Sequence, residues 1–336
     1  MADLPGAVLL GLAPMACFLV ALVLLDSYRL VRLRLVLAVA ASGAATAGIA
    51  YAANGALMGA LPMDFATYSR YVAPFTEELL KAAVIVALLR THRIGFLVDA
   101  AILGFAVGAG FALVETLLYL GSAPLAGMGV WMVRGFGTAI MHGGVTAIFA
   151  IAAVGLRGAR ASTPARALVP GFLIAVALHS AFNHFFLSPF VSTLGIAIVL
   201  PIVLHLVFAR SEAAVGEWLG SGFDANAETL ELIDSGRISA TPIGLYLQDL
   251  RGKLDGPVVA DVLCYLRLHT ELALRAKGVL LMRENGFAVE LDAATREKFA
   301  EMRYLEKSIG RTSLIALQPL VARSSRDLWQ LDALAR

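Results

Sequence analysis

The sequence predicts an all-α protein: a polytopic membrane helix bundle of about seven transmembrane helices, followed by a helical cytosolic domain. Hydrophobic residues make up 59% of the 336 and charged residues only 15%, far from the balance of a water-soluble domain. The charges are also unevenly placed. Residues 1–209 hold eleven Lys or Arg and seven Asp or Glu, whereas residues 210–336 hold sixteen and eighteen, which puts a boundary between membrane and soluble domains near Arg210. Seven apolar runs precede it, each close to the ~20 residues a bilayer requires.

The first run, Leu4 to Leu25, reads as a retained helix because no basic residue precedes it as in a cleaved signal. The second spans Leu35 to Met58. The third, Tyr71 to Leu89, is interrupted by Glu77, Glu78 and Lys81, and the fourth, Phe96 to Leu120, carries Glu115. Gly104 and Gly108 on the fourth form a small-xxx-small pair of the kind that brings membrane helices close. The fifth, Met128 to Leu156, is rich in glycine and carries His142 and Thr146; the sixth, Leu168 to Leu187, carries His179 and Asn183; the seventh is Phe190 to Phe208. In the tail, Val259, Val262, Leu263, Leu266, Ala273, Ala276 and Leu280 follow a helical period that Gly286 ends. A more polar helix is expected from Asp292 to Ser308, and no catalytic cluster is apparent there.

Orientation follows from the loops. Arg29, Arg32, Arg34, Arg90, Arg93, Arg157, Arg160, Arg166 and Arg210 all fall on one side, and only Arg70 on the other. The positive-inside rule then places the N-terminus outside and the C-terminal domain in the cytosol, as in an integral protein of a bacterial inner or plasma membrane. The net charge of +2 leaves no nucleic-acid footprint. Cys17 in the first segment and Cys264 in the tail make no disulfide framework.

Carboxylates and a lysine at membrane depth cost several kcal/mol by most estimates, and they are read first as functional. At 1.5 Å rise per residue, with Trp131 taken as an interfacial anchor, Glu77, Glu78, Glu115, His142 and His179 lie ~8 to ~16 Å below the outer surface, in the outer half of the core. Such agreement in depth points to one buried centre. Glu77 and Lys81, four apart, share a helix face in the order that favours pairing, while Glu78 points about 100° away. His179 with Asn183 and His142 with Thr146 repeat the four-residue spacing, and His184 falls on another face. Arg134 is expected either to snorkel to the interface or to compensate the acids, and Asp99 to be solvated.

The ordered set Glu77-Glu78-x-x-Lys81, Phe111-x-x-x-Glu115, His142-x-x-x-Thr146 and His179-x-x-x-Asn183 resembles the motifs of PrsW-type intramembrane proteases. These belong with the type II CAAX prenyl proteases and the bacteriocin-processing membrane peptidases. The resemblance covers roughly Tyr71 to Phe186. It departs at Thr116, where the family pattern leads to asparagine, and the prenyl proteases carry histidine where Glu115 stands. It implies an endopeptidase acting on membrane-associated proteins or peptides near the outer leaflet, a membrane-tethered regulator being one such substrate. No His-Glu-x-x-His helix or Gly-x-Gly-Asp motif points to other intramembrane protease classes.

Two versions of the chemistry are open at this level. In the first, which the paired glutamates and Lys81 slightly favour, Glu77 activates water, His179 orients it or moves a proton, and Asn183 donates to the oxyanion. In the second, Glu115, His142 and His179 hold a zinc with water in the fourth position. A non-enzymatic, ion-coupled transporter using the same polar groups is the alternative class, although no internal repeat accompanies it. The topology is testable: a reporter fused after Arg336 is expected in the cytosol and one placed between Gly121 and Gly127 outside, and the reverse pattern would refute the depth argument.

Overall fold

The computed structural model describes residues 4–123, 126–157, 165–254, 256–287, 289, 292–321 and 325–335. Among these the chain is helical, with no strand. The helices are α1 (Leu4–Leu24), α2 (Leu33–Ala60), α3 (Phe65–Thr67), α4 (Ala73–Arg90), α5 (Leu97–Ser122), α6 (Met128–Met132), α7 (Ile140–Arg157), α8 (Ala165–His184) and α9 (Pro189–Asp234). They continue with α10 (Pro242–Arg251), α11 (Gly256–Glu284), α12 (Ala293–Val321) and α13 (Ser325–Ala335). Two π-helical turns, Tyr68–Val72 and Val133–Ala139, lead into α4 and α7, and a 3₁₀ turn covers Arg237–Ala240. The chain divides into two compact units within α9, between Glu212 and Ala213.

Among the described residues six stretches are long and apolar enough to cross a membrane: Pro5–Leu24, Leu33–Ala60, Leu97–Ser122, Met128–Arg157, Ala165–His184 and Pro189–Asp234. They match six of the seven predicted segments. The third predicted segment, Tyr71 to Leu89, corresponds to α4, which falls outside this set because its 18 residues include Glu77, Glu78, Lys81 and Arg90. It is packed instead among α2, α5, α7 and α8.

In the first unit α5 is the axis, with every residue from Val98 to Ala112 buried. Glycine makes this possible. A Cβ on Gly108 would lie 2.1 Å from the carbonyl oxygen of His142, so α5 and α7 approach backbone to backbone beside a site residue. Gly104 repeats the contact one turn away, where a Cβ would meet Ala147 Cα at 2.7 Å. Two side chains depart from expectation at the ends of this bundle. Asp99 is buried and accepts from the amides of Gly95 (2.8 Å) and Phe96 (3.3 Å), capping α5 rather than sitting in solvent. Trp131 is fully buried beside Ala7 and edge-on to Tyr119, so it is an interior residue and not an interfacial marker.

In the second unit α11 packs against α12 and α13. Val262, Leu266, Ala273, Ala276 and Leu280 are buried as their period predicts, while Leu263 is exposed. Gly286 takes φ +82° just past α11, and Asp292 accepts from the Thr295 amide at 2.9 Å at the start of α12. Polar groups are buried here too. Lys277 donates to Gln330 Oε1 at 2.8 Å and lies 4.6 Å above the Trp218 ring. His269 is 6% exposed.

Burial pushes the Lys277 ammonium down to about 8, with Asp327 opposing the shift. Burial, aided by Lys277 and opposed by Asp327, pushes His269 down to about 4. An unfolded chain therefore binds a proton at His269 between pH 6.5 and about 4 that the native side chain refuses, so this unit loses stability as pH falls through that window. The loss from this one group is at most about 3 kcal/mol. Amide protection factors in α11 of the full-length protein, corrected for the pH dependence of the intrinsic exchange rate, should fall from pH 7 to pH 4.5, and His269→Phe should flatten the change; an unaltered pH slope in that variant would refute the assignment.

Candidate functional site

Glu77, Glu78 and Lys81 are placed by α4, Glu115 by α5, His142 by α7 and His179 by α8. The four helices bring these side chains together. Lys81 and Glu78 are almost completely buried, and the ammonium donates to Glu78 Oε1 at 2.6 Å. This differs from the expected Glu77–Lys81 pairing. The closer partner is three residues away, not four, and Glu78 points inward while Glu77 turns to the cavity.

From this ion pair the network spreads to both histidines. Glu78 Oε1 also takes the Nδ1 hydrogen of His179, at 2.8 Å. A carboxylate only accepts, so Nδ1 carries a proton, and in the neutral ring Nε2 keeps a free lone pair. That Nε2 faces Glu77 Oε2 across 3.9 Å. Lys81 has only hydrogens to offer, so the 3.0 Å contact to His142 Nδ1 makes that nitrogen an acceptor and leaves the proton on Nε2. Nε2 in turn donates to Glu115 Oε2 at 2.8 Å. The two imidazoles meet edge to face, with centroids 4.8 Å apart. Phe111 roofs the group, its ring 4.6 Å below the Lys81 ammonium and 5.0 Å from His142.

Glu77, Phe111, Glu115, His142 and His179 line a cavity of about 550 Å³, together with Asn54, Tyr68, Ser69, Thr138 and Asn183 and a wall of small apolar residues from α2. Glu115 is the most open of the acids, with its side chain 38% exposed and Arg134 3.4 Å from Oε1. Arg134 also lies 4.3 Å over the Tyr119 ring, so of its two expected roles it takes the compensating one. Asn183 donates to the Ser69 carbonyl at 2.9 Å and Ser180 to that of Arg70 at 2.6 Å, so α8 clasps the π-helical turn ahead of α4. Thr146 is buried and donates to its own helix at His142 O (2.9 Å), outside the cavity lining. His184 likewise bonds its own helix, at Ser180 O (2.7 Å). Sequence reasoning passed over Asn54, Tyr68 and Thr76. The available signal was Asn54, the sole primary amide in a helix made mostly of Ala, Gly and apolar residues.

Among the described residues, Glu77, His142 and His179 offer three ligand atoms within 4.8 Å of one another. Glu115, which the sequence grouped with the two histidines, is hydrogen-bonded to His142 Nε2. Two imidazoles and a carboxylate are a donor set that suits zinc, and the Glu78 hydrogen bond on His179 is the outer contact that fixes a ligating histidine. The residues fit a metal in one further respect. With Glu77 ionised and His179 neutral, Glu77 Oε2 and His179 Nε2 are both acceptors that face each other, so a cation or a donor hydrogen belongs between them. His142 has both nitrogens engaged, and its place in the set requires one of those two bonds to be exchanged.

A family model described as PrsW family intramembrane metalloprotease matches residues 31–209. Comparison with curated proteins and with solved structures gives no match. The matched span contains every residue of the cluster. One consequence of the geometry is independent of chemistry: Lys81→Met strips Glu78 of its buried counter-charge and should destabilise the bundle by about 3–5 kcal/mol. Thermal unfolding in detergent should show this loss, with the Glu78→Gln/Lys81→Met pair recovering part of it; an unchanged midpoint in the single variant would contradict the buried pair.

Proposed function

The chain belongs to the PrsW family of intramembrane metalloproteases, and from that membership and the cluster's geometry we propose how its residues divide the work of peptide hydrolysis. The substrate is a membrane-associated polypeptide, taken into the cavity near the outer leaflet, with the N-terminus of the protease outside and its second unit cytosolic. Glu77, His142 and His179 would hold a divalent metal of the zinc class. When bound, such an ion polarises the scissile carbonyl and acidifies a water. The observation that carries the reading is the pair of opposed acceptors, Glu77 Oε2 and His179 Nε2, at the cavity wall.

The remaining groups act around that core. Glu78 holds the proton on His179 Nδ1 and so keeps Nε2 turned to the cavity, while Lys81 neutralises Glu78. If His142 yields its Nε2 contact, Glu115 Oε2 is released, and we assign Glu115 as the base. It takes a proton from the attacking water as the C–O bond forms, then returns it to the departing amine nitrogen as the C–N bond breaks. Arg134 beside Oε1 keeps that carboxylate oriented. Asn183 spends one amide hydrogen on Ser69 O, and the second is available to the carbonyl oxygen of the substrate. This division departs from the version that the sequence slightly favoured, with Glu77 as the base that activates water and no ion; the family's description as metalloproteases and the donor set of Glu77, His142 and His179 support the metal instead.

Elemental analysis and turnover of a membrane peptide separate the two. The purified protein is expected to carry one tightly held transition metal per chain; Glu77→Gln and His179→Ala should lose both metal and activity. Glu115→Gln should keep the metal while turnover falls 100-fold or more, in the range expected for loss of a positioned base. Full activity in metal-free protein would return the base to Glu77.

A further inference from the structure

Three polar side chains, Ser42, Thr46 and Asn54, interrupt the apolar run of α2 after Arg34, and two of them are satisfied locally. Ser42 donates to Val39 O at 2.6 Å and Thr46 to Gly43 O at 2.7 Å, both inside their own helix. Asn54 makes no such bond. Its amide is spent entirely on other elements: Nδ2 donates to Glu77 Oε1 at 3.2 Å, and Oδ1 accepts from Tyr68 Oη at 3.0 Å and Thr76 Oγ1 at 2.5 Å. A half-buried amide with three long-range partners in an apolar setting is costly to keep unless each partner is met.

We propose that Asn54 is a positioning residue for Glu77, with Tyr68 and Thr76 holding the oxygen end of its amide. The inference rests on the hydrolytic reading above. The orientation is dictated by chemistry. An ionised carboxylate offers no hydrogen, so the nitrogen must face Glu77, and the oxygen is left for the two hydroxyls. Tyr68 is 3% exposed and sits in the π-helical turn that opens onto α4, so the turn that Asn183 and Ser180 clasp also delivers the phenol to Asn54. With Oε1 held by Asn54, rotation of the Glu77 carboxylate is arrested and Oε2 is the oxygen presented to His179. Asn54 thus touches no reacting atom. It selects the oxygen that does.

The test compares Asn54→Leu, the Tyr68→Phe/Thr76→Val pair and Glu77→Gln in full-length protein, reading kcat and KM on one membrane peptide and the dissociation constant of added zinc. Asn54→Leu is expected to lower kcat and weaken zinc binding each by about 10–100-fold, the usual effect of losing an outer hydrogen bond to a ligand, with KM moving less than about 3-fold. The Tyr68→Phe/Thr76→Val pair leaves the amide in place but free to turn, and should shift kcat and zinc affinity in the same direction by a smaller factor. A purely structural role would lower the unfolding midpoint while the folded protein bound zinc normally. Wild-type kcat and zinc affinity in Asn54→Leu, beside an inactive Glu77→Gln, would overturn the role of Asn54 and leave the hydrolytic reading standing. Wild-type turnover in Glu77→Gln would instead remove that reading and Asn54's role with it. Where Asn54→Leu does not fold, normal kcat and zinc affinity in the hydroxyl pair overturns the proposal.

Discussion

The site depends on one interaction, the buried contact between the Lys81 ammonium and Glu78 Oε1 at 2.6 Å. An ion pair removed from water gains little net stability over an apolar pair of the same shape, because desolvation of two charges offsets their attraction. Its value here is directional. Glu78 takes hydrogens from both Lys81 and His179 on the same oxygen, and Lys81 reaches His142 as well, so a single pair sets the tautomers of two imidazoles on two other helices. Remove the lysine and the fault is an uncompensated charge together with two rings that have lost their reference.

Everything that turns toward the cavity is built outward from this anchor. Glu77, the neighbour of Glu78, is turned about 100° away around α4 and faces the cavity, where its two oxygens have different partners. Glu115 is fixed by His142 at one oxygen and neighboured by Arg134 at the other. Acids that look equivalent along the chain therefore occupy three environments: sealed and paired, half-buried and pinned, and open to the cavity. Helix packing sets these environments. Backbone contact at Gly108 brings α7 against α5 at the level of His142, and the π-helical turns ahead of α4 and α7 sit where each helix delivers its polar groups.

The second unit follows different rules. Its core is an ordinary apolar seam between α11, α12 and α13, into which Lys277 and His269 are folded with an amide and aromatic rings as company. Burial holds both bases below their usual values, which ties the stability of this unit to pH through groups that have no part in the cluster on α4, α5, α7 and α8.

The sequence by itself determined the helical class, the positions of six membrane-length helices, the change of character near Arg210, and the list of polar residues worth attention. Each of these is written locally: a run of apolar residues is long enough or not, and a carboxylate in such a run is expensive wherever it points. Family membership was legible for the same reason, since the motifs are short and ordered. Pairing was a different matter. Glu77 and Glu78 are adjacent, both lie one helical turn from Lys81, and only the packing of α7 and α8 against α4 decides which of them is enclosed. The grouping of Glu77 with both histidines, the burial of Trp131, the capping role of Asp99 and the three bonds of Asn54 all depend on a partner far along the chain. Helical period fixes the direction of a side chain relative to its own axis; what stands in that direction is settled by the other helices.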